Sequence, residues 1–218
     1  MSSETWQSVE AYATQTVIKP DPSYQAVYDA SVAAGLPDIA ISAAEGQQLQ
    51  LMAKMCGAKR ILEIGTLGGY STLWLARALP SGGKVITLEF NPKHAEVARA
   101  NLAKAGVGDR VEVITGSALD TLPTLTGPFD FFFLDANKDG YPEYFRWAVK
   151  LSRPGSVIVA DNVVRDGKVK DASSKDELVQ GVRKMLELIG NEPRVSASVI
   201  QTVGSRGYDG YLVAVVTE

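Results

Sequence analysis

One cysteine and one histidine are all that 218 residues contain of these two types. Cys56 alone can form no internal disulfide, and Cys56 with His94 cannot supply the thiolate and imidazole ligands of a zinc site. With a single histidine, His-based catalysis is not expected, and any metal must be held mainly by oxygen, which points to hard cations such as magnesium. Basic charge is not in excess. The balance of 22 Lys and Arg against 25 Asp and Glu gives a net charge of −3, no footprint for general nucleic-acid binding. No apolar run approaches the ~18 residues of a membrane span. The polar N-terminus MSSETWQSVEAYATQ lacks the basic flank and apolar core of a signal peptide. Internal repeats and Gly/Ser linkers are absent as well. A cytoplasmic globule is expected, one domain over residues 1–218 with a helical segment over 1–40. At 45% hydrophobic and 22% charged it can build a core without cross-links.

What is present is a regular alternation. Short apolar runs at 60–65, 84–90, 110–115, 129–135 and 156–161 are rich in β-branched and aromatic residues and show little polar alternation, the pattern of strands covered on both faces. Helical patterns lie between them at 70–79, 92–105, 118–125 and 141–151. Strand alternating with helix implies a parallel sheet with right-handed crossovers. Further helices are expected at 22–34, 43–55 and 175–189. Two last strand-like segments, 195–203 and 211–217, flank the turn sequence GSRGYDG, so the chain is expected to close as an antiparallel hairpin at the sheet edge.

The first strand runs into Glu63-Ile64-Gly65-Thr66-Leu67-Gly68-Gly69-Tyr70-Ser71. Glycines here let the backbone approach a ligand at the carboxyl end of the sheet. The dinucleotide fingerprint G-x-G-x-x-G fails, because Leu67 occupies the place of its second glycine. Glu63 in an apolar strand is costly unless something donates hydrogen bonds to it, whether a ligand or local backbone amides. Glu89 ends the second strand, 24 residues past Gly65. It is placed either to accept both hydroxyls of a ribose or to precede the helix start at Asn91-Pro92 as a surface acid. Taken together, the two acids favour a nucleoside-containing cofactor.

Asp135 ends the fourth strand, and Asp161 with Asn162 ends the fifth. Neighbouring parallel strands would bring these three oxygen donors together, a set suited to octahedral magnesium with positions left for water or substrate. Individually, each is also a good cap for the segment that follows. Lys138, in the loop LDANKDGYPEYF, reads equally as a base beside a metal or as a solvated partner of Asp139.

The segments ILEIGTLGGYSTLWLA, VITLEFNPKHAEVARANLAKAG, FFFLDANKDGYPEYF and VIVADNVVRDG resemble the successive motifs of the cation-dependent O-methyltransferases, which include catechol and caffeoyl-CoA O-methyltransferases. The resemblance runs from about Ala40 to the C-terminus. It implies an α/β, Rossmann-like class I methyltransferase fold: a central, mostly parallel seven-stranded sheet with an antiparallel C-terminal hairpin and helices on both faces. Carried over, Ile41, Glu63, Gly65, Gly69, Tyr70, Ser71, Glu89, Ser117, Ala118 and Asp135 would bind S-adenosylmethionine. Asp135, Asp161 and Asn162 would hold Mg2+, or Mn2+ or Ca2+, and Lys138 with Asp135 would be catalytic. Ala136 and Asn137 stand where the animal catechol enzyme has His-Trp, so this chain is closer to the plant and microbial branch. Residues 165–174 resemble the variable loop over the substrate, and the basic residues Arg165, Lys168 and Lys170 could meet an acidic substrate group.

The resemblance implies methyl transfer to one hydroxyl of a vicinal-diol, catechol-type small molecule, with a homodimer expected and no membrane or nucleic-acid partner. The alternative within the same family is a tRNA hydroxyuridine O-methyltransferase, against which the net charge of −3 weighs. His94 is expected to be exposed and Cys56 to be a packed helix-end residue. Trp6, Tyr12 and Tyr24 are left between a substrate-pocket and a dimer-contact role.

Overall fold

The computed structural model describes residues 2–218. Helices α1 (Ser3–Ala13), α2 (Pro22–Ala33) and α3 (Ala43–Met55) precede the sheet. Each starts at a side-chain cap, Ser2, Asp21 or Ser42, that accepts a first-turn N–H. Ser42 and Glu45 form a reciprocal capping box, with Glu45 Oε2 2.6 Å from Ser42 N. The alternating part follows as β1 (Arg60–Ile64), α4 (Tyr70–Ala78), β2 (Lys84–Glu89), α5 (Pro92–Lys104), β3 (Val111–Thr115), α6 (Ala118–Thr121), β4 (Phe131–Leu134), α7 (Tyr141–Lys150) and β5 (Val157–Ala160). Helix α8 (Glu177–Gly190) leads into β6 (Val195–Gly204) and β7 (Gly207–Val216).

The seven strands lie in the order β3-β2-β1-β4-β5-β7-β6. Pairings among β1 to β5 are parallel, and β7 is antiparallel to both β5 and β6. The chain winds outward from β1 to β3, then returns to β4 on the other side of β1. That reversal opens a crevice beyond the carboxyl ends of β1 and β4, where open α/β sheets bind ligands. Alternate residues feed two cores. Leu62, Ile64, Phe132 and Leu134 pack with α7 and α8, while Ile61, Phe131 and Phe133 pack with α3 and α4.

Three expectations shift at their edges. The 118–125 helix is a single turn, α6, followed by a 3-10 turn at Leu122–Thr124, where Pro123 has no N–H to continue an α-helical ladder. Strands four and five begin at Phe131 and Val157 rather than at 129 and 156, because Phe129 and Ser156 are occupied in connecting loop bonds. The hairpin turn is only Ser205-Arg206, since Tyr208, Asp209 and Gly210 pair with Val203, Thr202 and Gln201 as strand. The sheet edge is therefore β6, and β7 is inserted between β6 and β5.

Candidate active site

A cavity of about 880 Å3 occupies the crevice. Its walls include Ile41, Gly65, Tyr70, Ser71, Glu89, Ser117, Ala118, Asp135, Lys138 and Asn162. Two of the expected cofactor residues stand off the wall. Gly69 caps α4 at φ +86°, and a Cβ there would press on Leu102 of α5 at 3.2 Å. Glu63 is fully buried beneath the loop.

Strand alternation turns Glu63 to the same face as Ile61, toward the start of α4. Three hydroxyls donate to it, none of them a backbone amide. Ser71 Oγ lies 2.6 Å from Oε1, Thr87 Oγ1 2.6 Å from Oε2, and Thr72 Oγ1 also reaches Oε2. Glu63 therefore holds Ser71 and the first turn of α4 in place behind the cavity wall. Burial pushes its carboxyl from 4.5 up to about 7, against the hydroxyl bonds that pull it down. The folded protein thus holds a proton that the unfolded chain has released above pH 4.5. This contribution to stability is complete below about pH 4.5 and is lost as pH rises through about 7, about 3 kcal/mol at most. Thermal melts of the wild type and Glu63→Gln should diverge over that window, the variant losing less stability as pH rises. Parallel curves would remove Glu63 as the source.

The glycine loop is tied down on three sides. Gly65 has φ +101°, and a Cβ on it would sit 2.2 Å from the Asp135 carbonyl oxygen. Gly68 passes so close to Ser31 of α2 that no side chain fits between them. Asn101 Nδ2, buried on α5, donates to Gly68 O at 2.9 Å and to Ser31 Oγ at 3.1 Å. Glu89 Oε2 accepts from Thr66 N at 3.1 Å and Leu67 N at 2.8 Å, while Oε1 accepts from Asn91 N at 2.9 Å. Glu89 is therefore no surface acid: it is buried and clamps the first loop to the second.

His94 is not exposed. Its Nδ1 lies 3.5 Å from Glu89 Oε1 on the cavity wall, because the first turn of α5 folds back over the end of β2. Phe90, 78% exposed, and Leu119, 42% exposed, present an apolar rim beside Glu89 and Ala118. The sequence offered no periodic signal for either, since both lie just beyond or at the start of regular elements.

Backbone pairing continues past β4 and β5: Leu134 is opposite Ala160, and Asp161 N donates to Leu134 O at 3.0 Å. The next residues, Asp135 and Asp161, are thereby neighbours. Lys138 Nζ donates to Asp135 Oδ1 at 2.8 Å and lies 4.8 Å from the Tyr141 ring centroid. Lys138 is buried and belongs to Asp135; Asp139 instead accepts from Asn137 Nδ2 at 2.6 Å. The turn carrying Lys138 abuts Gly181 of α8, where a Cβ would fall 2.1 Å from Lys138 O. Asp161 stands just behind the main wall, under Ile41 and Glu45, and its Oδ1 accepts from Asn162 N at 2.7 Å. Burial first, and then the Asp135 charge, drive its carboxyl well above the usual range. Asn162 takes a left-handed conformation, φ +52°, and faces the cavity.

Of the basic residues in the 165–174 loop, Arg165 lines the cavity, whereas Lys168 and Lys170 are exposed. Cys56 caps α3, with Sγ 3.3 Å from Ala53 O. Tyr24 is buried and stacked on Trp74 at 3.7 Å, Tyr12 is exposed, and Trp6 lines a second cavity of about 420 Å3 that shares Asn162 with the first. No helix among the described residues is long and apolar enough to cross a membrane.

A family model described as O-methyltransferase matches residues 20–210. The catechol O-methyltransferase of Niastella koreensis is 47% identical over 220 residues, covering 99% of this chain and all of the relative. The enzyme of the same name from Mycobacterium tuberculosis is 52% identical over 209 residues, covering 95% of this chain and 94% of that one. An O-methyltransferase from Bacillus cereus, solved in complex with SAH, superimposes with a TM-score of 0.97 at 53% identity, covering 99% of this chain and 100% of that one. Agreement of that extent in both sequence and fold places this protein in the O-methyltransferase family.

Proposed function

We propose that this protein moves the methyl group of S-adenosylmethionine to one hydroxyl of a vicinal-diol, catechol-type small molecule, with a divalent cation at Asp135, Asp161 and Asn162. The observation that carries the reading is the pair of in-register strand ends. They set two carboxylates side by side against the single ammonium of Lys138. Burial that forces Asp161 toward its neutral form leaves a site that a divalent cation would satisfy, and the two carboxylates and one amide are the oxygen donors such a cation takes. When bound, the cation orients both hydroxyls of the acceptor and lowers the pKa of the attacking one.

The rest follows from the protein's own groups. Glu89 offers carboxylate oxygens where a ribose diol would lie, and Phe90 with Leu119 offer apolar faces to a flat base. Ser71, fixed by Glu63, and the backbone of Gly65 and Ile41 are placed to receive the methionine end, with Tyr70 beside them. The acceptor oxygen would attack the sulfonium methyl in line, the C–O bond forming as the C–S bond breaks and S-adenosylhomocysteine leaves. Lys138, as the ammonium paired with Asp135, would donate a hydrogen bond that stabilises the phenolate, or as the neutral amine would take the phenolic proton at Nζ. Holding donor and acceptor in this near-attack arrangement is the main catalytic contribution of the fold. The relatives named for catechol and the bound SAH of the Bacillus cereus protein support the reading. Exposed Val9, Tyr12 and Val17 near the N-terminus are in keeping with a homodimer, in which a second copy would cover them.

A panel of phenols assayed with S-adenosylmethionine and magnesium tests it. Vicinal diols should be methylated, monophenols should not, and excess EDTA should stop turnover. Methylation of a tRNA carrying hydroxyuridine, with no diol converted, would overturn the acceptor class.

A further inference from the structure

We propose that Arg165 reads an anionic group on the acceptor, so that the preferred substrate is a vicinal-diol ring bearing a carboxylate. The proposal rests on the cavity being the methyl-transfer site and names the substrate more narrowly. Arg165 lines that cavity along with Lys138, Tyr144 and Asn162, and lies three residues past Asn162 in the chain.

Among the described residues its guanidinium has no hydrogen-bond partner. Nε is buried and makes no hydrogen bond, and no carboxylate lies within ion-pair distance among the described residues. Arg77, Arg153 and Arg206 are paired with Asp21, Asp130 and Asp38, while Arg60, Arg99 and Arg183 donate to backbone carbonyls. The two Nη groups also make no hydrogen bond to the described residues and, unlike Nε, are not enclosed, so they are the donors an anion in the cavity would meet.

The backbone is built to hold this arginine inward. Arg165, Asp166 and Gly167 are all left-handed, at φ +55°, +54° and +77°, a run that two non-glycine residues adopt only under constraint. The constraint is Asp209 on β7, whose Oδ1 accepts from Val164 N at 3.0 Å and from Arg165 N at 2.9 Å. Because that carboxylate is engaged with backbone amides, the guanidinium fork stays free. A planar fork of N–H donors matches a carboxylate in two parallel hydrogen bonds. Lys168 and Lys170 are exposed on the next turn, Lys168 with its Nζ 4.0 Å from Asp166, and neither lines the cavity.

The test compares 3,4-dihydroxybenzoate, catechol and dopamine as acceptors for the wild type, Arg165→Gln and Arg165→Lys. The wild type should favour the acid, through KM. In Arg165→Gln the acid-to-catechol ratio of kcat/KM should fall roughly 10- to 100-fold, as loss of a charge-assisted pair predicts, with Arg165→Lys in between. A wild type that prefers dopamine, or a ratio unmoved by Arg165→Gln, overturns the proposal. Calorimetric binding of 3,4-dihydroxybenzoate to the S-adenosylhomocysteine-loaded protein separates the two levels. Binding that depends on Arg165 without methylation of any diol would defeat the methyl-transfer reading alone. Diol methylation with a constant ratio would defeat the Arg165 assignment alone.

Discussion

Asp161→Ala is expected to lower methyl transfer by about a thousandfold or more, the scale of several kcal/mol of transition-state stabilisation from a bound cation. Binding of S-adenosylmethionine should change little, because Asp161 does not line the main cavity, whereas Gly65, Tyr70 and Ser71 do. A readout independent of turnover is available. Magnesium should raise the melting temperature of the wild type and leave the variant unmoved, since only a site that binds in the native state can stabilise it. Without metal the variant should melt no lower than the wild type, because it no longer buries that carboxyl behind Asp135. Asp135→Ala should be at least as damaging, and less selectively so, since Asp135 also pairs with Lys138 and lines the cavity. Undiminished turnover of Asp161→Ala in excess EDTA would overturn the metal assignment.

Gly65→Ala is expected to be severely disruptive for a single added methyl group. A Cβ there lies 2.2 Å from the Asp135 carbonyl oxygen and 2.7 Å from its carbonyl carbon, both backbone atoms that cannot rotate away. The residue also sits at φ +101°, where an L side chain is strained whatever the space. Overpacking and backbone strain together cost on the order of 4 kcal/mol, a fall in melting temperature of roughly 10 °C. The same displacement would part β1 from β4 at the crevice, so affinity for S-adenosylmethionine should be lost along with stability. Calorimetric unfolding and a titration with the cofactor measure both. A variant that melts and binds like the wild type would mean that the loop is not held as the geometry demands.

These two positions also show how far the residues alone could be read. That Asp135, Asp161 and Asn162 end strands of one parallel sheet is legible from the short apolar runs and their alternation with helices, while the strand order that makes β4 and β5 neighbours but parts β3 from β4 is set by the tertiary structure. Gly65 was legible as a loop glycine, but its steric necessity was not, for the atom it would strike is 70 residues away in the chain. Lys138 divided evenly between two partners in the sequence. Only packing of its turn against Gly181 of α8 and the Tyr141 ring aimed it at Asp135 rather than at Asp139. Helical periodicity says which face His94 takes and leaves it exposed, whereas the structure sets its Nδ1 3.5 Å from Glu89 Oε1, a contact between a helix start and the preceding strand end that no periodicity records.

By itself, then, the sequence determined the kind and order of the elements, the mostly parallel sheet they form and the family, and it limited any metal site to oxygen donors in a chain with one histidine and one cysteine. Those are properties of local pattern and of residue type. The tertiary structure decided which of the candidates face the cavity. It buried Glu63 under three hydroxyls, turned Glu89 into a clamp between loops, and left the guanidinium of Arg165 without a partner among the described residues on the cavity wall. The physical reason is that side-chain direction in loops depends on left-handed backbone at Leu67, Asn162 and Arg165. At Leu67 and Arg165 that backbone is held by carboxylates from other strands, Glu89 and Asp209, which no local pattern records.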